Sequence, residues 1–197
     1  CESEVMLTMQ KKELLKKSAI RHAEYYGMVE VQDALYADSA NKKIFTDLIS
    51  IIGSDANIKM AYRNLKSNKG SSTPGVDGKT FKDLAEMSEE ALVRCVRDKI
   101  LNYQPKAVRR VYIPKPNGKM RPLGIPTVLD RIVQQSVLQV MEPICEAKFY
   151  RHSYGFRPNR STKNAVAVCY KLAQVDGFHY VVDVDIKGFF DNVDHGK

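Results

Sequence analysis

Hydrophobic residues recur along this chain with two periods, and the change from one to the other divides it. Over the first hundred residues the spacing is helical. Residues 5–26 are rich in good helix formers around a loose apolar stripe. Residues 41–52 place Ile44, Leu48, Ile49 and Ile52 at helical spacing, and residues 54–69 do the same with Ile58, Ala61, Tyr62 and Leu65. Ser54 or Asp55 is the expected N-cap of that second helix and Gly70 its stop. Residues 88–102 predict a further helix, with Ser88 as cap, Glu89 and Glu90 in the first turn, and Leu92, Val93, Val96 and Ile100 facing inward. Before it lies GSSTPGVDGKTF, a polar loop whose proline and three glycines mark turns.

From Val108 the pattern changes. VRRVYIPKPNGKMRPLGIP reads as two strands joined at Asn117-Gly118, and Pro114, Pro116 and Pro122 predict an edge or irregular ribbon. Thr127 then caps a long helix, with Asp130 forming a partial capping box. Ile132, Val133, Val137, Val140, Met141 and Ile144 supply its predicted buried face, and Pro143 is expected to kink or end it. Residues 161–175 predict another helix, with Ala165, Val168, Cys169 and Leu172 in register and Gly177 closing it. HYVVDVDIKGFFDNVDH follows, at residues 179–195. Its β-branched Val181, Val182, Val184 and Ile186 suit a buried strand, whose period of two puts Asp183 and Asp185 on one face. There is no internal repeat, and the expected fold class is α+β.

Composition adds a direction. A hydrophobic fraction of 44% over 197 residues supports a core and excludes a disordered chain. The net charge of +8 is concentrated: residues 101–160 hold eleven Lys and Arg against three acidic residues, and the remainder balances. A basic surface beside an acidic segment suits an enzyme acting on nucleic acid, the alternative being a solvated basic face. Two carboxylates on one strand face suit Mg²⁺ or Mn²⁺, the alternative being a solvated strand end. Lys115, Lys119 and Arg121 cluster at the hairpin tip, where they could reach a triphosphate or a template backbone, or simply guard an exposed edge. The four cysteines form no CxxC pair, so neither zinc nor a disulfide framework is indicated. Cys95, Cys145 and Cys169 are expected to be small buried hydrophobes in a reducing compartment. With no signal peptide and no bilayer-length apolar run, an intracellular protein is expected. The chain starts at Cys1 rather than Met and stops at Lys197, so both ends read as cut.

KPNGKMRPLGIPTVLDRIVQ, SYGFRPNRST and VDVDIKGFFDNVDH, in that order, closely resemble the first three conserved blocks of group II intron reverse transcriptases, also called maturases. GSSTPGVDGKTF resembles the extra N-terminal block these enzymes share with other non-retroviral reverse transcriptases, and the resemblance runs over residues 54–197. Retron, diversity-generating and CRISPR-associated reverse transcriptases share parts of the pattern. The SYGFRPNRS block together with RPLGIPT favours the intron-encoded group.

The resemblance implies a right-hand polymerase fold: a helical N-terminal extension at 1–53, fingers with lid loop and hairpin at 54–178, and the start of the palm at 179–197. It implies Asp185 and the backbone carbonyl of Ile186 as ligands of catalytic Mg²⁺, with Mn²⁺ as a substitute. Phe190 matches the ring under the sugar of the incoming dNTP that excludes a 2′-hydroxyl. Lys115 and Arg121 match the residues that hold its triphosphate. Ser72, Thr73 and Gly75 fall in the lid over template and base pair, and Arg157 and Asn159 near the template or nucleotide. Arg109, Arg110, Lys119 and Arg160 complete the RNA-binding set, while Asp183 has no assigned ligand role. The implied chemistry is attack of a primer 3′-hydroxyl on the α-phosphate of a dNTP between two metal ions. The implied partners are group II intron RNA, an RNA template with its DNA primer, and target DNA; no membrane is involved. The family's other metal-binding aspartates lie in a YADD-type motif that the 197 residues do not contain. By itself the chain is therefore expected to bind RNA without polymerising, and self-association through uncovered apolar surface is expected. A reading of another class is a splicing cofactor that binds intron RNA and needs no aspartates at all.

Overall fold

Caps set the helix boundaries of this protein. A computed structural model describes residues 21–186, 188–189 and 192–194, so most of the helix expected at 5–26, as well as Phe190, lies outside the described residues. The chain forms two units, Cys1–Phe149 and Tyr150–Lys197.

In the first unit, residues 21–25 are helical and Gly27, at φ 65°, turns the chain into α1 (Met28–Ala40). α1 has no apolar stripe to announce it, yet it buries Met28, Leu35 and Ser39. Lys42, at φ 61°, follows its end, and Asp47 caps a short α2 (Leu48–Ile52) by accepting from the Ser50 N–H at 3.2 Å. The helix expected from residue 41 is thus only one turn and a half, and Ile44 is 84% exposed. The capping aspartate and the left-handed turn outweigh the apolar spacing. α3 (Asp55–Lys66) starts at Ser54 as expected, and a 3-10 turn, Lys69–Ser72, replaces the stop at Gly70. Thr80 and Asp83 form a capping box for α4 (Phe81–Leu84), and Ser88 caps α5 (Glu89–Leu101). All four residues predicted to face inward on α5 are buried.

β1 (Arg109–Pro114) and β2 (Met120–Ile125) pair antiparallel as an isolated ribbon. Its turn follows from three residues. Pro116 presets the first turn dihedral, the Asn117 side chain accepts from the Lys119 N–H at 3.2 Å, and Gly118 takes φ 76°. α6 (Val128–Glu146) is capped by Thr127, whose hydroxyl accepts from the Asp130 N–H at 3.2 Å and donates to the Asp130 carboxylate at 2.6 Å.

α6 departs from expectation in the face it buries. Val137 and Met141 face outward, while Asp130, Ser136 and Gln139 are buried. Pro143 lies inside the helix, which runs three residues further, to Glu146. A proline there leaves the Gln139 carbonyl without its helical donor. The Gln32 side chain of α1 supplies a substitute at 3.1 Å, and the Ser39 hydroxyl donates to the Ile144 carbonyl at 2.8 Å. The helix survives because α1 satisfies what the proline removes.

The core of this unit joins Leu35, Ile58, Phe81, Leu92, Val96, Ile132 and Val140 from five helices. Each fully buried aliphatic chain contributes about 1.5–3 kcal/mol. Inside it runs a polar chain. The Asn57 amide donates to the Ile52 and Ser136 carbonyls, both at 2.9 Å, and the Gln139 amide donates to Asn57 Oδ1 at 2.7 Å. Lys99 and Asp130 form a largely buried ion pair at 2.9 Å between α5 and α6.

In the second unit, Arg157 donates to the carbonyls of Tyr150 and Ser153 at 3.0 and 2.9 Å, folding the SYGFRPNR turns around itself. Ser161 caps α7 (Thr162–Gln174), which buries none of its residues, so its expected apolar face is without a core in this unit. The strand expected at 179–186 is not formed. Val181 is 95% exposed, and no segment among the described residues pairs with it. β-propensity alone cannot satisfy backbone N–H and C=O groups; a strand exists only beside another. Nor are the cysteines buried as expected: Cys95 and Cys145 are partly exposed and Cys169 is exposed.

Candidate functional site

The glycine-rich loop from Gly70 to Gly78 is held from below by two arginines. Arg131, in the first turns of α6, spreads its guanidinium over three carbonyls: Nη1 donates to Gly70 at 2.9 Å, Nη2 to Thr73 at 2.5 Å and Nε to Pro126 at 3.3 Å. Arg109, at the base of β1, donates through Nε to the Pro74 carbonyl at 3.0 Å. Gly75 lies so close to the start of α6 that a Cβ there would stand 2.6 Å from the Thr127 Cα and 3.0 Å from the Pro126 carbonyl oxygen. Only glycine fits. Burial pushes the Arg131 pKa down, while Asp77 across the loop counters by favouring the charged form and Arg109 adds to the lowering.

The hairpin rises from the same place. In its register Arg109 faces Ile125, Val111 faces Leu123 and Ile113 faces Arg121, so Arg109 and Arg121 share one side of the ribbon. Lys115 and Lys119 close the tip through a backbone hydrogen bond of 2.8 Å. The side chains of Arg110, Lys115, Lys119 and Arg121 are exposed and meet no partner among the described residues. Unpaired cations on a narrow ribbon remain available to phosphates. Arg109 differs from them, since part of its guanidinium is committed to the loop.

Of the expected site residues, Ser72, Thr73, Gly75, Arg109, Arg110, Lys115, Lys119 and Arg121 lie in the first unit, and the structure brings the loop and the hairpin base together there. Arg157, Asn159, Arg160, Asp185 and Ile186 lie in the second. Asn159 sits in a left-handed conformation at φ 56°, and Arg160 donates to the Arg151 carbonyl at 3.2 Å, with its guanidinium 5.7 Å from the Tyr154 ring centre. Asp183 and Asp185 lie on an exposed segment that is neither helix nor strand. Their oxygen donors have the chemistry a hard divalent ion takes, but no group of three or more His, Cys, Asp or Glu that could hold a metal occurs among the described residues. As described, these residues do not complete a metal site. Phe190 is outside the described residues.

Arg131 was not among the expected site residues. It stood out in the sequence only as one more cation in the basic block; four residues past the Thr127 cap, it points back over the helix start, which only the fold of the preceding loop makes meaningful.

A loop of small residues fastened to a ribbon of exposed cations has the chemistry that phosphate groups take, as on the surfaces of nucleic-acid-binding proteins. The comparisons with known proteins specify which kind. Residues 113–197 match the family described as "Reverse transcriptase (RNA-dependent DNA polymerase)". The chain is 45% identical over 141 residues to Protein YkfC of Escherichia coli (strain K12), covering 68% of this chain and 36% of that protein. It is 42% identical over 137 residues to the group II intron-encoded protein LtrA of Lactococcus lactis subsp. cremoris, covering 69% of this chain and 22% of that protein. It is 31% identical over 169 residues to a putative COX1/OXI3 intron 1 protein of Saccharomyces cerevisiae, covering 83% of this chain and 19% of that protein. The chain belongs to the reverse transcriptases, and within them to the intron-encoded group. It spans 36% or less of the length of these relatives. No helix among the described residues is long and apolar enough to cross a membrane.

Proposed function

We propose that this chain provides the fingers and the beginning of the palm of a group II intron-encoded reverse transcriptase, which extends a DNA primer on an RNA template and binds its intron RNA. The observation that carries the reading is the fastening of the glycine loop to the base of the cationic hairpin by Arg109 and Arg131. In this reading residues 1–53 form a helical extension, 54–178 the fingers and 179–197 the start of the palm. Lys115 and Arg121 hold the triphosphate of the incoming dNTP, Lys119 and Arg110 the nearby backbone phosphates. Ser72, Thr73 and Gly75 form a lid over the template, and Arg157, Asn159 and Arg160 lie along the RNA. Phe190 excludes the ribose hydroxyl. Asp185 and the Ile186 carbonyl would hold Mg²⁺ or Mn²⁺, which supplies the positive charge that stabilises attacking and leaving oxygens in phosphoryl transfer. The protein works inside the cell, where the intron RNA and the target DNA are found.

The test is primer extension on an RNA template with Mg²⁺, using protein from the complete reading frame beside its Asp185→Asn variant. The reading requires cDNA from the first and none from the second. A second reading, an RNA-binding splicing cofactor without polymerase activity, is favoured by the eleven basic residues between 101 and 160. It would be supported if neither protein made cDNA while both bound intron RNA in preference to unrelated duplex RNA at moderate salt.

A further inference from the structure

We propose that Arg131 is the positioning residue of the lid: its three-carbonyl grip, with Arg109 bonded to Pro74, sets the lid at a fixed offset from the hairpin that carries Lys115 and Arg121. The proposal deepens the polymerase reading above and rests on it. Three observations carry it.

The first is the shape of the grip. Arg131 reaches Gly70, Thr73 and Pro126, two carbonyls on the loop and one at the helix start, with three different nitrogens. A guanidinium fork can do this because its donors are spread over a rigid plane; an ammonium has its donors on one atom and cannot span the same carbonyls. Charge is therefore not what the position selects. The second is the contact at Gly75, where the loop backbone rests on the backbone of Pro126 and Thr127 with no room for a methyl group. The third is Arg109. It belongs to the hairpin, yet its Nε is spent on the Pro74 carbonyl, so the ribbon and the loop are tied to one another and not merely to the core.

The support beneath is equally fixed. Thr127, which Gly75 touches, is locked by Asp130, and Asp130 is paired with Lys99 of α5 at 2.9 Å. The Arg131 guanidinium also stacks near the buried Phe81 ring, 6.0 Å from its centre. A lid and a nucleotide clamp held on one frame register template base and incoming nucleotide against each other. Arg131 touches neither; it acts through the loop.

The experiment uses the complete reading frame with Arg131→Lys, which keeps the charge, and, as a second route to the same displacement that leaves Arg131 in place, Gly75→Ala. Hydrogen exchange is followed by peptide, and steady-state primer extension gives kcat and KM for dNTP. Both variants should lose amide protection at residues 70–78 while peptides of α5 keep theirs, and kcat/KM for dNTP should fall by about 10–100-fold, the scale of a small misplacement remote from the reaction. Unchanged protection of the loop, loss of protection spread evenly over the core, or an unchanged kcat/KM in an active enzyme would each overturn the proposal. If the parent enzyme makes no cDNA, the polymerase reading has failed, and the exchange measurement still decides whether Arg131 holds the loop.

Discussion

Gly75 rests on the backbone of Thr127: a methyl group on it would lie 2.6 Å from the Thr127 Cα. The contact joins the polar loop to the N-cap residue of α6, and the obstacle is backbone rather than a flexible side-chain end. Gly75→Ala must therefore lift the loop or shift the helix start. The expected destabilisation is about 1–3 kcal/mol, the usual range for overpacking a close contact. Urea unfolding followed by circular dichroism measures it. Equal midpoints for variant and parent would show that the loop yields freely.

Gln139 and Asn57 make a stronger demand. Gln139 Nε2 donates to both the Asn57 carbonyl and Asn57 Oδ1, at 3.1 and 2.7 Å, while Gln139 Oε1 accepts from Asn64 at 2.9 Å. Gln139→Leu has the right size but leaves Asn57 Oδ1 unpaired in the interior and takes the acceptor from the half-buried Asn64. A loss of about 1–3 kcal/mol is expected from stranding a buried polar group. Combining it with Asn57→Ala should cost less than the sum of the two, by about 1 kcal/mol or more, since both changes break one network. Strict additivity would mean the bonds act independently.

Glu142 supplies a pH dependence. Burial first, and the negative charge of Glu146 second, raise its pKa above the ordinary glutamate value. A carboxyl whose folded pKa is raised favours the folded state most when protonated, below its unfolded pKa of about 4.3. That contribution is lost as pH rises through the folded value. Glu142→Gln should therefore melt with the parent near pH 4 and above it at about pH 7, the gap opening as pH rises from about 4.3. Thermal unfolding across this range reads it directly, and a gap that closed with rising pH would reverse the sign of the argument.

The hairpin cations predict the opposite pattern, function without stability. Lys115 and Arg121 are exposed and unpartnered among the described residues, so alanine at either should change stability by less than about 0.5 kcal/mol. Each contact to a nucleic-acid phosphate should disappear from the salt dependence, lowering the slope of log K against log salt by about 1 per residue. RNA affinity measured at several salt concentrations gives the slope. A parallel shift with the slope intact would place these residues away from the phosphates.

Where the sequence succeeded, the determining physics was local. α5 carries its start in Ser88 and its inner face in Leu92, Val93, Val96 and Ile100, and the hairpin turn is contained in Pro116, Asn117 and Gly118. The conserved-looking order of its blocks likewise pointed to the reverse transcriptases, because a motif is a local string. Tertiary structure decided what depends on a distant partner. Pro143 stays inside α6 because Gln32, 107 residues before Gln139, bonds the Gln139 carbonyl that the proline orphans. Val137 faces outward and Gln139 inward because Asn57 and Asn64 offer a polar berth that no periodicity records. Residues 179–186 have the composition of a strand without a neighbour to pair with among the described residues, and so form no strand. Arg131 became a functional candidate only when folding laid three carbonyls around it. Dihedral preferences and caps are written residue by residue; hydrogen-bond partners and burial belong to pairs far apart in the chain, and only the folded molecule brings those pairs together.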